Sequence, residues 1–239
     1  MKEFIIKGIK KSILVFVILF CVILILNFEV SSRQGVNYQC REIKLPLYLK
    51  ILDFFDRHYN YKHLVKMIVK DAKTDEERMM KIFEWTYRNI KSVPQGLPVI
   101  DDHIWYTIVR GYGARDQFSD IFTTLCNQAG IDAFFIDIYS KDRKYQIPFS
   151  FVKINYRWFV FDPYYGVYFR TNNGGLADIE NIRLNNWKSQ SLETEPKIYP
   201  DYALFFSNLT VVKDMGLTRA NIQSPLKRLL FELKRRMNF

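Results

Sequence analysis

Glycine is scarce in this chain, 10 of 239 residues, so glycine-dependent phosphate loops have little to be built from and a nucleotide-binding enzyme is disfavoured. Cysteine is scarcer, with three residues and no C-x-x-C, which excludes zinc ribbons and thioredoxin-type redox sites. Of the three, Cys21 lies in an apolar run; Cys40 and Cys126 are the candidates for a disulfide in an oxidising compartment, and the sequence does not decide whether they meet. There are three histidines. His58 and His63, five apart, fall about 140° from each other on a helix, so they form no metal pair, and neither a metal site nor a cofactor is read. Internal repeats and low-complexity tracts are missing too. A hydrophobic share of 49% with 25% charged residues then excludes a disordered or collagen-like chain.

What is plentiful is aromatic surface, with 20 Phe, 15 Tyr and 4 Trp, and positive charge, a net +10. The charge is unevenly placed. Lys2, Lys7, Lys10 and Lys11 against Glu3 put +3 in front of the wholly apolar run Ile13–Leu26. At the other end Lys227, Arg228, Lys234, Arg235 and Arg236 against Glu232 put +4 into residues 225–239, where Leu226, Leu229, Leu230, Leu233 and Met237 keep helical spacing. The remaining +3 is ordinary for a folded body, and nucleic acid is not among the expected partners. The apolar run competes between a membrane anchor and a signal peptide ending near Val30-Ser31-Ser32; its length favours the anchor. With four lysines before it and Arg33 close after it, the expected topology is a single-pass protein of the cell membrane, N-terminus cytoplasmic and the rest extracytoplasmic. The tail reads either as a basic amphipathic helix on anionic lipid or as a closing helix packed on the domain.

Five segments follow: the cytoplasmic tip and span (1–32), a juxtamembrane linker with helices (33–73), a core (74–170), its C-terminal extension (171–224) and the basic helix (225–239). Within the core, Thr74 and Glu77 form a capping-box pattern ahead of Met79, Ile82, Phe83, Thr86 and Ile90 at helical spacing. Pro94, Gly96 and Pro98 end that helix and open a loop expected to run to about Arg110. A second helix is expected over about Asp116–Ala129, closed by Gly130 and buried at the centre of the fold. The period then changes to that of strands: Ala133–Tyr139, Pro148–Asn155, Trp158–Asp162 and a continuation over Tyr164–Arg170, with shorter elements beyond Gly175. Helices first and an antiparallel meander second define an α+β class.

The stretch Gly111-Tyr112-Gly113-Ala114-Arg115-Asp116-Gln117-Phe118-Ser119, opening a helix that ends Ala129-Gly130-Ile131, resembles the nucleophile region of the transglutaminase-like superfamily. Trp158-Phe159-Val160-Phe161-Asp162-Pro163 resembles its W-x-x-x-D-P element, and Glu84-Trp85-Thr86-Tyr87-Arg88-Asn89-Ile90 its preceding helix. The resemblance spans residues 74 to 170. It implies a papain-like core, a central helix on an antiparallel sheet, carrying a Cys-His-Asp triad. Aligned so, the nucleophile position holds Arg115, the base position Phe149, and only the acid, Asp162, is kept. A guanidinium gives up no proton at relevant pH and a phenyl ring neither donates nor accepts one, so two of three triad members are chemically incompetent. A hairpin turning between Tyr156 and Arg157 sets Asp162 opposite Phe151, with Phe149 its diagonal neighbour at ~7–8 Å.

No nearby residue replaces the thiol. Cys126 shares the face of Arg115 but lies about 16 Å along the helix and reads as a buried core residue. Arg115 stands at a helix N-terminus, where its charge opposes the dipole. Two readings follow: a structural ion pair with Asp162 or Asp116, or a pocket for a carboxylate, phosphate or acidic sugar. The candidate ligand contacts are Arg115, Asp116, Asp162, His103, Trp158 and Tyr164. Aromatics around Trp158 and Tyr164 could line a sugar groove, although alternating aromatics in a hairpin are more often core and sheet packing. The function expected is a membrane-anchored binding or scaffold module of the cell envelope, taking an envelope protein, a peptide or a polysaccharide. The alternative is an amidase or peptidase using surrogates such as His103 with Asp116 or Asp162.

Overall fold

A computed structural model describes residues 2–34, 41–100, 103–193, 199–207, 209 and 237. Cys40 and, apart from Met237, the basic tail over 225–239 therefore lie outside the described residues. The chain divides into two compact units, Met1–Arg57 and His58–Phe239.

In the first unit, helix α1 (Lys2–Leu26) contains a 19-residue stretch, Gly8–Leu26, long and apolar enough to cross a membrane and with none of it buried in the protein. Strands β1 (Glu29–Gln34) and β2 (Arg41–Pro46) pair antiparallel from Glu29↔Pro46 to Gln34↔Arg41. The segment expected to be a linker is thus a hairpin, and it leads directly into helix α2 (Leu47–Ile68).

The second unit sets two core helices against a sheet. Helix α3 (Asp75–Asn89) starts where expected: Glu77 N–H donates to Thr74 Oγ1 at 3.1 Å, and the Glu77 carboxylate accepts from the Lys73 N–H at 2.6 Å. Strand β3 (Lys91–Ser92) pairs parallel with β4 (Tyr112–Gly113), pinning the ends of the intervening loop. That loop is not featureless. It contains helix α4 (Ile104–Arg110), which buries Ile104 and Thr107 and ends at Gly111 in the left-handed region, φ 76°. Gly113 is required for a different reason: a Cβ there would stand 2.8 Å from Gln117 Oε1 and 2.9 Å from Thr107 Cγ2. This close approach aims the chain into helix α5 (Arg115–Gln128), whose residues from Gln117 to Asn127 are all buried.

The sheet holds β5 (Ala133–Tyr139), β6 (Gln146–Ile154), β7 (Arg157–Asp162), β8 (Val167–Arg170) and β9 (Lys188–Ser191), antiparallel neighbours in chain order. Helix α6 (Ile179–Arg183) and the short α7 (Ala203–Phe206) complete the described elements. Alternation along the strands makes two cores. On one face Phe161 meets Phe83 and Phe122 of α3 and α5 with ring centroids 5.1 and 5.4 Å apart, in a cluster that also buries Cys126 as a free thiol. On the other, Phe149, Phe151 and Phe169 are covered by α6 and by Tyr202, Phe205 and Phe206. Polar bonds fasten α5 to the strands: Ser119 Oγ donates to Pro148 C=O and Asn127 Nδ2 to Ala133 C=O, each at 2.7 Å.

One register differs from expectation. The β6–β7 hairpin turns on Asn155 and Tyr156, both with positive φ (49° and 65°), so Ile154 pairs Arg157 and Ser150 pairs Phe161. This is the two-residue primed turn that matches strand twist. Carried one step further, the register sets Asp162 opposite Phe149 itself rather than diagonal to it.

Candidate functional site

Arg115 is the first residue of α5, placed by the Gly111-x-Gly113 turn, and Ala114 N–H is held by Gln117 Oε1 at 2.9 Å. Asp162 ends β7 with no exposed surface. The two meet: Arg115 Nη2 donates to Asp162 Oδ2 at 2.8 Å, with the arginine side chain 27% exposed. The same oxygen accepts from Tyr202 Oη at 3.2 Å, and Oδ1 accepts from the Tyr165 N–H at 3.4 Å. Burial raises the Asp162 carboxyl above the usual aspartate value, and the guanidinium beside it works in the opposite direction. Tyr202 is pushed far up, first by burial and then by the charge of Asp162, so it stays protonated and donates to the carboxylate.

Aromatic rings enclose the cation. The Arg115 guanidinium carbon lies 4.8 Å from the ring centre of Tyr165 and 5.7 Å from that of Tyr164, and the two rings meet edge-on at 5.0 Å. Tyr164 also packs on Phe118 at 5.2 Å and its Oη receives a hydrogen bond from Ser92 at 3.3 Å. Phe149 is wholly buried, with Phe206 at 5.4 Å and Tyr202 at 5.9 Å between centroids.

Of the residues singled out from sequence, Arg115, Asp162 and Tyr164 therefore converge, and Phe149 sits behind them. Asp116 follows in the first turn of α5, half-buried. His103 is placed in a structural role at α4: its Nδ1 accepts from the Trp105 N–H at 3.3 Å, and its ring packs near Tyr61 and Tyr106. The contacts of Trp158 run to Phe134, at 5.0 Å, and to Lys153, whose Nζ lies 5.5 Å from its ring centre. Among the described residues no group of three or more potential metal ligands occurs. Sequence reasoning missed Tyr202, forty residues from Asp162 with no periodic or motif signal, and gave no specific role to Tyr165. Chemically, the assembled set is a cation, a buried carboxylate and phenols; neither Arg115 nor Phe149 supplies a nucleophile or a base.

Residues 62–163 match the core of the transglutaminase-like superfamily, and this part of the chain is a transglutaminase-like domain. Three solved structures are similar over part of their length: a protease candidate from Parabacteroides distasonis (15% identity, 53% of this chain and 29% of that one, TM-score 0.37), a cysteine protease candidate from Cytophaga hutchinsonii (16%, 62% and 56%, TM-score 0.39) and a TGase (9%, 56% and 43%, TM-score 0.36). The chain thus covers between 29% and 56% of those proteins. No curated protein matches it.

Proposed function

We propose that the protein is anchored in a membrane by α1, with the chain from about residue 33 onward extracytoplasmic, and that its transglutaminase-like domain acts in the cell envelope by binding, without cysteine hydrolysis. One observation carries this reading: at the head of the central helix, where the family resemblance expects a thiol, a guanidinium is spent on a buried carboxylate 2.8 Å away. The orienting acid is retained with nothing left to orient. A thiolate–imidazole pair has no substitute in Arg115 and Phe149, and His103 Nδ1 is occupied as a helix cap.

The partly exposed edge of Arg115, framed by Tyr164 and Tyr165, suits an anionic group on a peptide, protein or polysaccharide, because guanidinium forks recognise carboxylates and phosphates. The lysines ahead of the span support the orientation. Val30-Ser31-Ser32 lies in β1, paired with β2 and continuous with α1, which supports a retained anchor over a cleaved signal.

The test uses the full chain with an iodoacetamide probe and an amide substrate. Native protein is expected neither to hydrolyse the substrate nor to label at Cys126, whose thiol is buried and pushed well above its ordinary pKa by that burial. Arg115→Cys with Phe149→His is expected to create a labelling thiolate. Hydrolysis by native protein that disappears in Asp162→Asn would overturn the proposal. For the binding arm, Arg115→Lys keeps the charge but loses the fork, and is expected to weaken retention on an immobilised anionic polysaccharide. Equal retention of both proteins removes Arg115 from the contact.

A further inference from the structure

Helix α2 carries an apolar stripe that the described residues leave partly exposed. Tyr48, Ile51, Leu52 and Phe55 are three and four residues apart and fall within about 100° of one another around the helix. Their exposures are 38%, 37%, 60% and 45%. An aromatic and aliphatic row of this kind on a water-facing surface marks a contact with something else.

Its place in the chain says with what. The span of α1 ends at Leu26, and the chain then runs out along β1 and back along β2. The return is complete: the Leu47 N–H donates to the Phe28 C=O at 2.9 Å, and Lys50 Nζ donates to the Ser31 C=O at 2.7 Å. The first turn of α2 thus begins one hydrogen bond away from Phe28, two residues beyond the end of the span. Phe28 itself is 69% exposed. Tyr48, in that first turn, belongs to a residue class that gathers where acyl chains give way to headgroups.

We propose that the first half of α2 is an interfacial helix, its Tyr48–Ile51–Leu52–Phe55 stripe seated in the outer leaflet of the membrane that α1 enters. The inference rests on the reading of α1 as a retained anchor. Four partly exposed side chains make a small surface for free association with lipid. Tethering changes that, since a helix held at the exit of a span meets the bilayer at a high effective concentration. The contact fixes the angle at which the chain leaves the membrane.

Depth-dependent quenching tests this in the full chain. Cys21→Ser, Cys40→Ser and Cys126→Ser give a background without thiols, into which Leu52→Cys, Phe55→Cys, Val17→Cys or Glu42→Cys is placed singly and labelled with an environment-sensitive fluorophore. The protein is reconstituted in phosphatidylethanolamine–phosphatidylglycerol vesicles containing lipids brominated at shallow or deep acyl positions. Shallow bromines are expected to quench the probes at 52 and 55 at least twofold and leave the probe at 42, far out on the hairpin, unchanged; deep bromines quench the probe at 17. If the probe at 17 is quenched while those at 52 and 55 emit as in water, the interfacial helix is overturned and the anchor stands. If the probe at 17 is also unquenched, the anchor reading has failed and this inference fails with it.

Discussion

Arg115→Met isolates what the ion pair contributes, because methionine keeps most of the aliphatic stem and removes only the charge and its donors. Deleting one partner of a buried pair costs about 3–5 kcal/mol, since the other charge is left without compensation. Here Arg115 is 27% exposed and Asp162 keeps its bonds from Tyr202 and the Tyr165 amide. Solvent screening and the two surviving donors bring the expected loss to about 2–3 kcal/mol. For a unit of this size that lowers Tm by about 5–10 °C, read by near-ultraviolet circular dichroism on the full chain.

The pH dependence separates electrostatics from packing. Asp162 has a raised carboxyl in the folded protein against an ordinary value of 3.8, so the folded state binds this proton more tightly than the unfolded state does. Stability from this group therefore falls as pH rises from the unfolded value through the folded one. Removing the guanidinium removes the main influence that lowers the carboxyl, so the folded value climbs further and the window widens upward. The deficit of Arg115→Met relative to the native protein is expected to be largest at neutral pH and to shrink toward pH about 4, the ordinary aspartate range. Adding Asp162→Asn to Arg115→Met is expected to recover most of the loss. A deficit that stays constant between these pH values, or a variant as stable as the native protein, would refute the reasoning.

Two further outcomes test the packing around the site. Phe149→Ala, which empties the space between Tyr202, Phe205 and Phe206, is expected to cost about 3–5 kcal/mol in chemical denaturation; a loss under 1 kcal/mol would mean that the described C-terminal segment does not cover this ring. Tyr156→Gly, at a turn position with φ 65° and 94% exposure, is expected to stabilise by about 0.5–1 kcal/mol through relief of the left-handed strain; a destabilised variant would mean that the ring makes a contact which offsets that strain.

Local signals located most of the core. Thr74 marks the start of α3, the apolar face from Phe118 to Leu125 marks α5, and Gly130 at φ 83° closes it. Alternation found β5, β6 and β7. The register slipped by two because Asn155-Tyr156, lacking the usual glycine, does not announce a primed turn. Helix α4 was missed because seven residues between proline- and glycine-marked turns carry too short a period to see. Arg115 could be placed from the ordered motif elements around it, since they are local. Tyr202 could not, because its meeting with Asp162 arises only when the chain beyond β9 folds back over the sheet.

That long-range contact completes an arrangement in which Arg115 can stand at the head of α5. A cation at the N-terminus of α5 works against the helix dipole, and a carboxylate with no exposed surface works against its own desolvation. The first penalty is about 0.3–1 kcal/mol and the second is the larger. Set 2.8 Å apart they offset one another, and Tyr202 and the Tyr165 amide take the acceptor capacity that Arg115 leaves. Arg115 and Asp162 are therefore one feature, a buried carboxylate held by a guanidinium. What is left over is the 27% of Arg115 that the ion pair does not bury, set beside the rings of Tyr164 and Tyr165, and that edge is the part of the guanidinium which the proposed binding role would use.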